Sequence, residues 1–165
     1  MEGNGMKRMM SGEGDIAYAG VAGAVGGMLG LAGVYLKWFQ YSYPVSGGTF
    51  TQYLNGTEDW TGRVAFIAGL AAFAFGAAYV LLSDPQIRKL TGALMGIGAI
   101  FLLAMPLIGF TRTEEAVGQP FLVGIAPGTS VTIARDVAGG LWASLVGGVI
   151  AVYGAYLAVR RTGSS

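Results

Sequence analysis

The chain has 165 residues, of which 53% are apolar and only 12% are charged, about half the charged share of an ordinary soluble domain. Cysteine and histidine are both absent, which excludes disulfides, thiolate metal sites, cysteine nucleophiles and histidine as a general base or a haem or zinc ligand. A net charge of +1 provides no basic surface for nucleic acid, and 29 glycines within long apolar blocks are typical of membrane helices.

The chain begins with a polar segment, residues 1–14, which carries Lys7 and Arg8. We expect it to be a loosely ordered cytoplasmic tail. A basic start before an apolar run is also typical of a signal peptide. The run that follows, Ile16 to Leu36, has 21 residues, which is long for a signal peptide and favours an uncleaved first membrane span over 16–37.

Small residues recur in this first span at steps of 4, 3, 4 and 3. They are Ala19, Gly23, Gly26, Gly30 and Gly33. Each glycine destabilises a helix in water by about 1 kcal/mol relative to alanine. A helix this rich in glycine therefore needs a compensating interaction, which close packing against another helix supplies. The pattern therefore predicts that another helix packs closely against this one.

An aromatic and polar loop, 38–61, follows Lys37 and is predicted to lie outside the membrane. Thr49 to Leu54 alternates and is rich in strand-forming residues, so a short strand is predicted there. The candidate partner-binding side chains are Trp38, Phe39, Tyr41, Tyr43, Tyr53 and Trp60. An interfacial belt with a small core beneath the loop explains the same residues, and we favour that interpretation.

The second and third spans are predicted over 62–83 and 88–110, joined as an antiparallel hairpin. Asp59 and Asp84 are suited to cap the two helices, and Pro85 suits the first helical position. Pro106 is expected to kink the third span or to end it early. The small residues predicted to pack in these spans are Gly69, Gly76, Gly92 and Gly96.

The second outer loop, 111–136, is predicted to contain a hairpin of two strands, 121–125 and 130–134. Asp136 is a candidate cap for the fourth span, 137–159, and a polar tail occupies 162–165. The fourth span repeats the spacing of the first, and its predicted packing residues are Gly140, Ser144, Gly147 and Gly154.

The basic residues predict that both termini are cytoplasmic. Six lie in the segments that would be inside: Lys7, Arg8, Arg88, Lys89, Arg160 and Arg161. The four outside, Lys37, Arg63, Arg112 and Arg135, are accompanied by acidic residues. The bias follows the positive-inside rule, because the inner residues lie in short segments at helix ends.

No charged side chain lies well inside a predicted span, which argues against a proton-coupled transporter. Glu114, Glu115 and Asp136 are a candidate divalent-cation site, but adjacent carboxylates in a charged loop are more often solvated or paired with Arg112 or Arg135. The sequence offers no recognisable pair of a nucleophile and a general base. We therefore expect no metal, no cofactor and no enzymatic activity.

Several residues resemble the claudin-like layout: Trp38 after the first span, Gly47-Gly48, and Asp59-Trp60-Thr61-Gly62 at the start of the second. The layout is also similar to small four-helix prokaryotic membrane proteins of unknown function. The claudin pattern includes paired cysteines in the first outer loop. Since this chain has none, the resemblance implies no barrier-forming role.

The sequence thus predicts an all-α membrane protein: a left-handed, up-down bundle of four transmembrane helices with a small β-containing extracytoplasmic cap. The expected role is that of a non-catalytic structural or accessory subunit. Its expected partners are the lipid bilayer and either a larger membrane complex or further copies of itself. The alternative is a small oligomeric channel or solute transporter.

Overall fold

The computed structural model describes residues 3–45, 48–111 and 134–162. In chain order the elements are α1 (Gly3–Tyr35), β1 (Lys37–Val45), β2 (Gly48–Asn55), a 3-10 turn (Gly56–Glu58), α2 (Trp60–Leu81), α3 (Pro85–Thr111), β3 (Ala134–Val137) and α4 (Gly139–Thr162). The prediction of four long apolar helices is confirmed, since each contains a stretch of 20 to 27 residues that is long and apolar enough to cross a membrane.

The starts of α2 and α3 follow the predicted capping signals. An Asp59 carboxylate oxygen accepts a hydrogen bond from the Thr61 amide at 3.2 Å. Asp84 Oδ1 accepts from the amides of Gln86 at 2.8 Å and Ile87 at 3.2 Å. These bonds satisfy amides that have no partner within the helix, so both helices begin where the sequence indicates.

Helices α1 and α3 are longer than predicted. The tail expected over 1–14 is helical from Gly3, because adding residues to an existing helix costs much less than starting a new one. Helix α3 continues through Pro106 to Thr111. Proline removes only one amide donor, and Pro106 is fully buried within the bundle.

Asp136 does not cap α4, contrary to the prediction. Its backbone belongs to β3 and pairs with Gln40 of β1. The Ala138 amide donates to the Trp38 carbonyl at 2.8 Å, and helix α4 begins at the next residue, Gly139. The β1–β3 ladder therefore sets the start of α4.

The four helices form a ring in which α1 and α3 each pack against both α2 and α4. Neighbours run antiparallel: Gly20 of α1 lies against Gly76 of α2, whereas Gly27, about two turns later, lies against Gly69. Helices α3 and α4 are also antiparallel, since Gly92 near the start of α3 lies close to Ala158 near the end of α4.

A three-stranded antiparallel sheet, in the order β2-β1-β3, lies where α1 ends and where α2 and α4 begin. The predicted strand at 49–54 is confirmed as β2, which pairs with β1, for example Tyr41 with Gln52. Strand β1 was not predicted. The predicted hairpin over 121–134 lies outside the described residues, apart from Ala134.

Large apolar side chains fill the interior of a soluble protein, whereas in this bundle many of them lie on the outside. Small residues fill the interior, and only 33–39% of each candidate span is buried. Large apolar side chains face outward along the helices, including Val21, Val25, Met28, Ile67, Ile97, Ile100, Val146 and Val149. A surface this apolar around the whole bundle suits lipid rather than water.

Candidate functional site

The glycines predicted to form one seam on α1 face two different neighbours. Gly26 and Gly33 lie against the backbone of α4. An added Cβ would stand 2.6 Å from the Gly147 carbonyl oxygen at the first, and 2.7 Å from the Gly140 carbonyl oxygen at the second. Contacts this close leave no space for a side chain at either glycine position.

Gly23 and Gly30 instead face the centre of the ring. A Cβ at Gly30 would lie 2.6 Å from the Leu102 side chain of α3, and one at Gly23 would overlap the Met95 sulfur. Met95 and Leu102 are fully buried. These two glycines therefore make room for the largest central side chains of α3.

A third face of α1, absent from the predicted seam, packs against α2. A Cβ at Gly20 would stand 2.6 Å from the Gly76 carbonyl oxygen, and one at Gly27 would stand 2.7 Å from the Gly69 carbonyl oxygen. Gly26 and Gly27 are adjacent in the chain, so small residues lie on both of these faces of α1. Helix α1 thus contacts all three other helices through glycines spaced seven residues apart.

The predicted packing residues of the other helices lie in the same interior but are not equally close to their neighbours. At Gly154 a Cβ would lie 2.7 Å from the Ala19 carbonyl oxygen. At Gly92 the nearest atom, on Tyr79, is 3.2 Å away, and at Gly96 it is an ordinary 3.6 Å contact. Gly96 therefore has space for a methyl group.

Ser144 is the buried hydroxyl of the α1–α4 interface. Its Oγ donates to the Gly30 carbonyl at 3.3 Å, so it bonds across to another helix rather than back to its own. The hydroxyl also fills the space above Gly33, where a Cβ would stand 2.5 Å from Oγ. Ser144 therefore links α4 to α1 within their interface.

Three members of the predicted partner-binding group do not lie on the surface. Trp38 is 0%, Phe39 2% and Tyr41 4% exposed, in a core beneath the sheet. The Trp38 indole nitrogen donates to the Gly33 carbonyl at 3.1 Å, which ties β1 to the end of α1. Phe39 and Tyr41 lie on one face of β1, and the irregular register between Lys37 and Phe39 accompanies the burial of the adjacent Trp38. Tyr53 and Trp60 are exposed, and the side chain of Tyr43 lies outside the described residues.

The charged residues of the candidate spans lie near the helix ends. Arg63 is in the first turns of α2, and its Nε donates to the Thr57 carbonyl at 3.2 Å. Arg88 is in the first turns of α3, and its Nε and Nη2 both donate to the Leu82 carbonyl. Lys37 Nζ lies 3.4 Å above the centre of the Tyr53 ring. Long basic side chains at such positions reach the polar boundary of a bilayer.

Among the described residues, no three carboxylates or other metal-binding side chains lie close enough to hold a metal ion. Glu114 and Glu115 of the candidate cation site lie outside those residues. Asp136 is exposed in β3.

No protein-family model matches the chain, and no curated protein is similar enough in sequence to count as a match. The resemblance to the claudin-like layout therefore rests on the quoted residues alone. Two of them have structural roles here. Trp38 anchors the sheet, and Gly62 lies so close to the Gly56 carbonyl that no Cβ would fit.

Proposed function

We propose that this is a non-catalytic, multi-pass membrane protein that acts as a structural or accessory subunit, packing with a partner or with further copies of itself. One observation carries the proposal: backbone contacts and buried side chains fill the interior of the described helices. These contacts bring the described helices close together, so the proposal assigns the function to the outer surface.

The proposed orientation places both termini in the cytoplasm and the sheet on the opposite side of a left-handed, up-down bundle. Arg88, Lys89 and Arg160 belong to the end remote from the sheet. At the sheet end, Lys37 and Arg63 are accompanied by acidic residues. This distribution agrees with the positive-inside rule.

The proposed contact surface is the edge strand β2, from whose two faces Phe50 and Tyr53 project, and the start of α2. Phe50, Tyr53 and Trp60 are 47%, 44% and 49% exposed there. Aromatic side chains contribute a disproportionate share of the energy of protein interfaces. Unlike the apolar side chains along the helices, Phe50 and Tyr53 lie in a strand beyond the candidate spans, where lipid tails do not cover them.

The test is isolation of the tagged full-length protein from its native membrane in a mild detergent, followed by measurement of the mass of the particle. A reproducible assembly larger than one chain is expected. A double variant, Phe50→Ser with Tyr53→Ser, should return the particle to the mass of a single chain. The matched control, Ile100→Ala on an exposed helix face, should leave the assembly intact.

Two results would contradict the proposal. A single chain in every mild detergent would remove the case for a subunit. Solute flux through reconstituted single chains in liposomes would support the channel or transporter instead.

A further inference from the structure

A shallow groove lies at the sheet end of the bundle, between the end of α1 and the first turns of α2. It has a volume of about 220 Å³ and is lined by Tyr35, Thr57, Arg63, Phe66 and Ile67. The rings of Tyr35 and Phe66 meet edge to face, with their centroids 5.6 Å apart. The groove thus combines aromatic and aliphatic walls with one guanidinium group.

The Arg63 guanidinium is oriented but retains most of its donors. Its Nε donates to the Thr57 carbonyl, which leaves the two Nη groups for a ligand. Arg63 forms no ion pair with a carboxylate of the described residues. The nearest acidic neighbours in sequence have other bonds, since Glu58 accepts from Asn55 and Asp59 caps α2.

The position of Arg63 matches the level of lipid headgroups. It lies three residues after Trp60, about 5 Å along the helix axis, on a helix about 33 Å long. Trp60 and Trp142 are both exposed and lie in the first turns of α2 and α4. Tryptophans concentrate at the boundary between hydrocarbon and headgroups, so this end of α2 lies at that boundary.

We propose that the groove binds an anionic glycerophospholipid. The Nη groups of Arg63 donate to the phosphate oxygens, a pairing for which the planar guanidinium is well suited. An acyl chain of the lipid extends from there along Phe66 and Ile67 towards the middle of the membrane. This site does not depend on the proposed subunit role.

The tryptophans provide the test, because all three (Trp38, Trp60 and Trp142) lie at the sheet end. The full-length protein is reconstituted in vesicles that contain either brominated phosphatidylglycerol or brominated phosphatidylcholine, and quenching of tryptophan emission gives the preference between them. Arg63→Gln should lower the preference for phosphatidylglycerol about threefold, as expected for one partly exposed charge pair. Arg88→Gln removes the same charge about 30 Å away and should leave the preference unchanged.

An unchanged preference in Arg63→Gln, or an equal loss in both variants, would overturn the proposal. Competition by added inorganic phosphate would assign the site to a free anion instead of a lipid. Should Arg63→Gln fail to fold, Arg63→Lys replaces it in the test, because lysine keeps the charge but lacks the planar pair of Nη groups. Full retention of the preference by Arg63→Lys would then overturn the proposal.

Discussion

At the scale of single residues, the tolerance of each glycine depends on what faces its missing side chain. Gly147→Ala should destabilise the fold by about 3 kcal/mol, since the new methyl group would stand 2.6 Å from the Gly26 carbonyl oxygen and would overlap the Gly30 amide. Backbone atoms of two packed helices cannot move aside as a flexible side chain can. The free energy of unfolding in detergent micelles measures the effect.

Gly96→Ala is the matched control, because Gly96 belongs to the same predicted set of packing residues. Its new methyl group would meet Ala155 at an ordinary 3.6 Å, so stability should change by less than about 1 kcal/mol, towards greater stability. Equal losses in Gly147→Ala and Gly96→Ala would contradict the close α1–α4 contact described here.

The buried Ser144 hydroxyl makes a second residue-scale prediction. Ser144→Ala removes the hydrogen bond to the Gly30 carbonyl and should cost about 0.6 kcal/mol, the average for such bonds between membrane helices. Ser144→Val should cost more, because the space above Gly33 is already full. The same unfolding measurement ranks the two variants, and a Val variant as stable as the Ala variant would contradict this packing.

At the scale of elements, the sequence predicts helix starts and strands that depend on residues close together in the chain. The caps at Asp59 and Asp84 and the strand at β2 follow from a carboxylate before a helix and from alternating β-formers. The division of the α1 seam between α4 and the centre could not be predicted, because a single spacing is compatible with several arrangements of neighbours. The burial of Trp38 could not be predicted for a related reason: tryptophan is typical both of the membrane interface and of buried anchors.

Trp38 connects the sheet to the helix bundle, so its removal measures how much this connection stabilises the protein. Trp38→Ala should destabilise the protein by about 3–5 kcal/mol, because it empties a fully buried site and removes the bond to Gly33. Trp142→Ala, at the same end but 58% exposed, should have little effect on unfolding in the same detergent. Comparable losses in the two variants would mean that Trp38 supports the fold no more than an exposed tryptophan does.

At the scale of the whole molecule, orientation follows from where the charges lie on the bundle. The absence of cysteine from the chain makes orientation directly measurable, because each introduced cysteine is the only one present. Thr49→Cys lies in exposed β2 at the sheet end, and Ser83→Cys lies in the exposed turn between α2 and α3 at the other end. In intact cells, a membrane-impermeant maleimide should label position 49 and not position 83, and opening the cells should expose both. Labelling of position 83 alone from outside would reverse the proposed orientation, and it would place the Arg63 groove in the cytoplasmic leaflet.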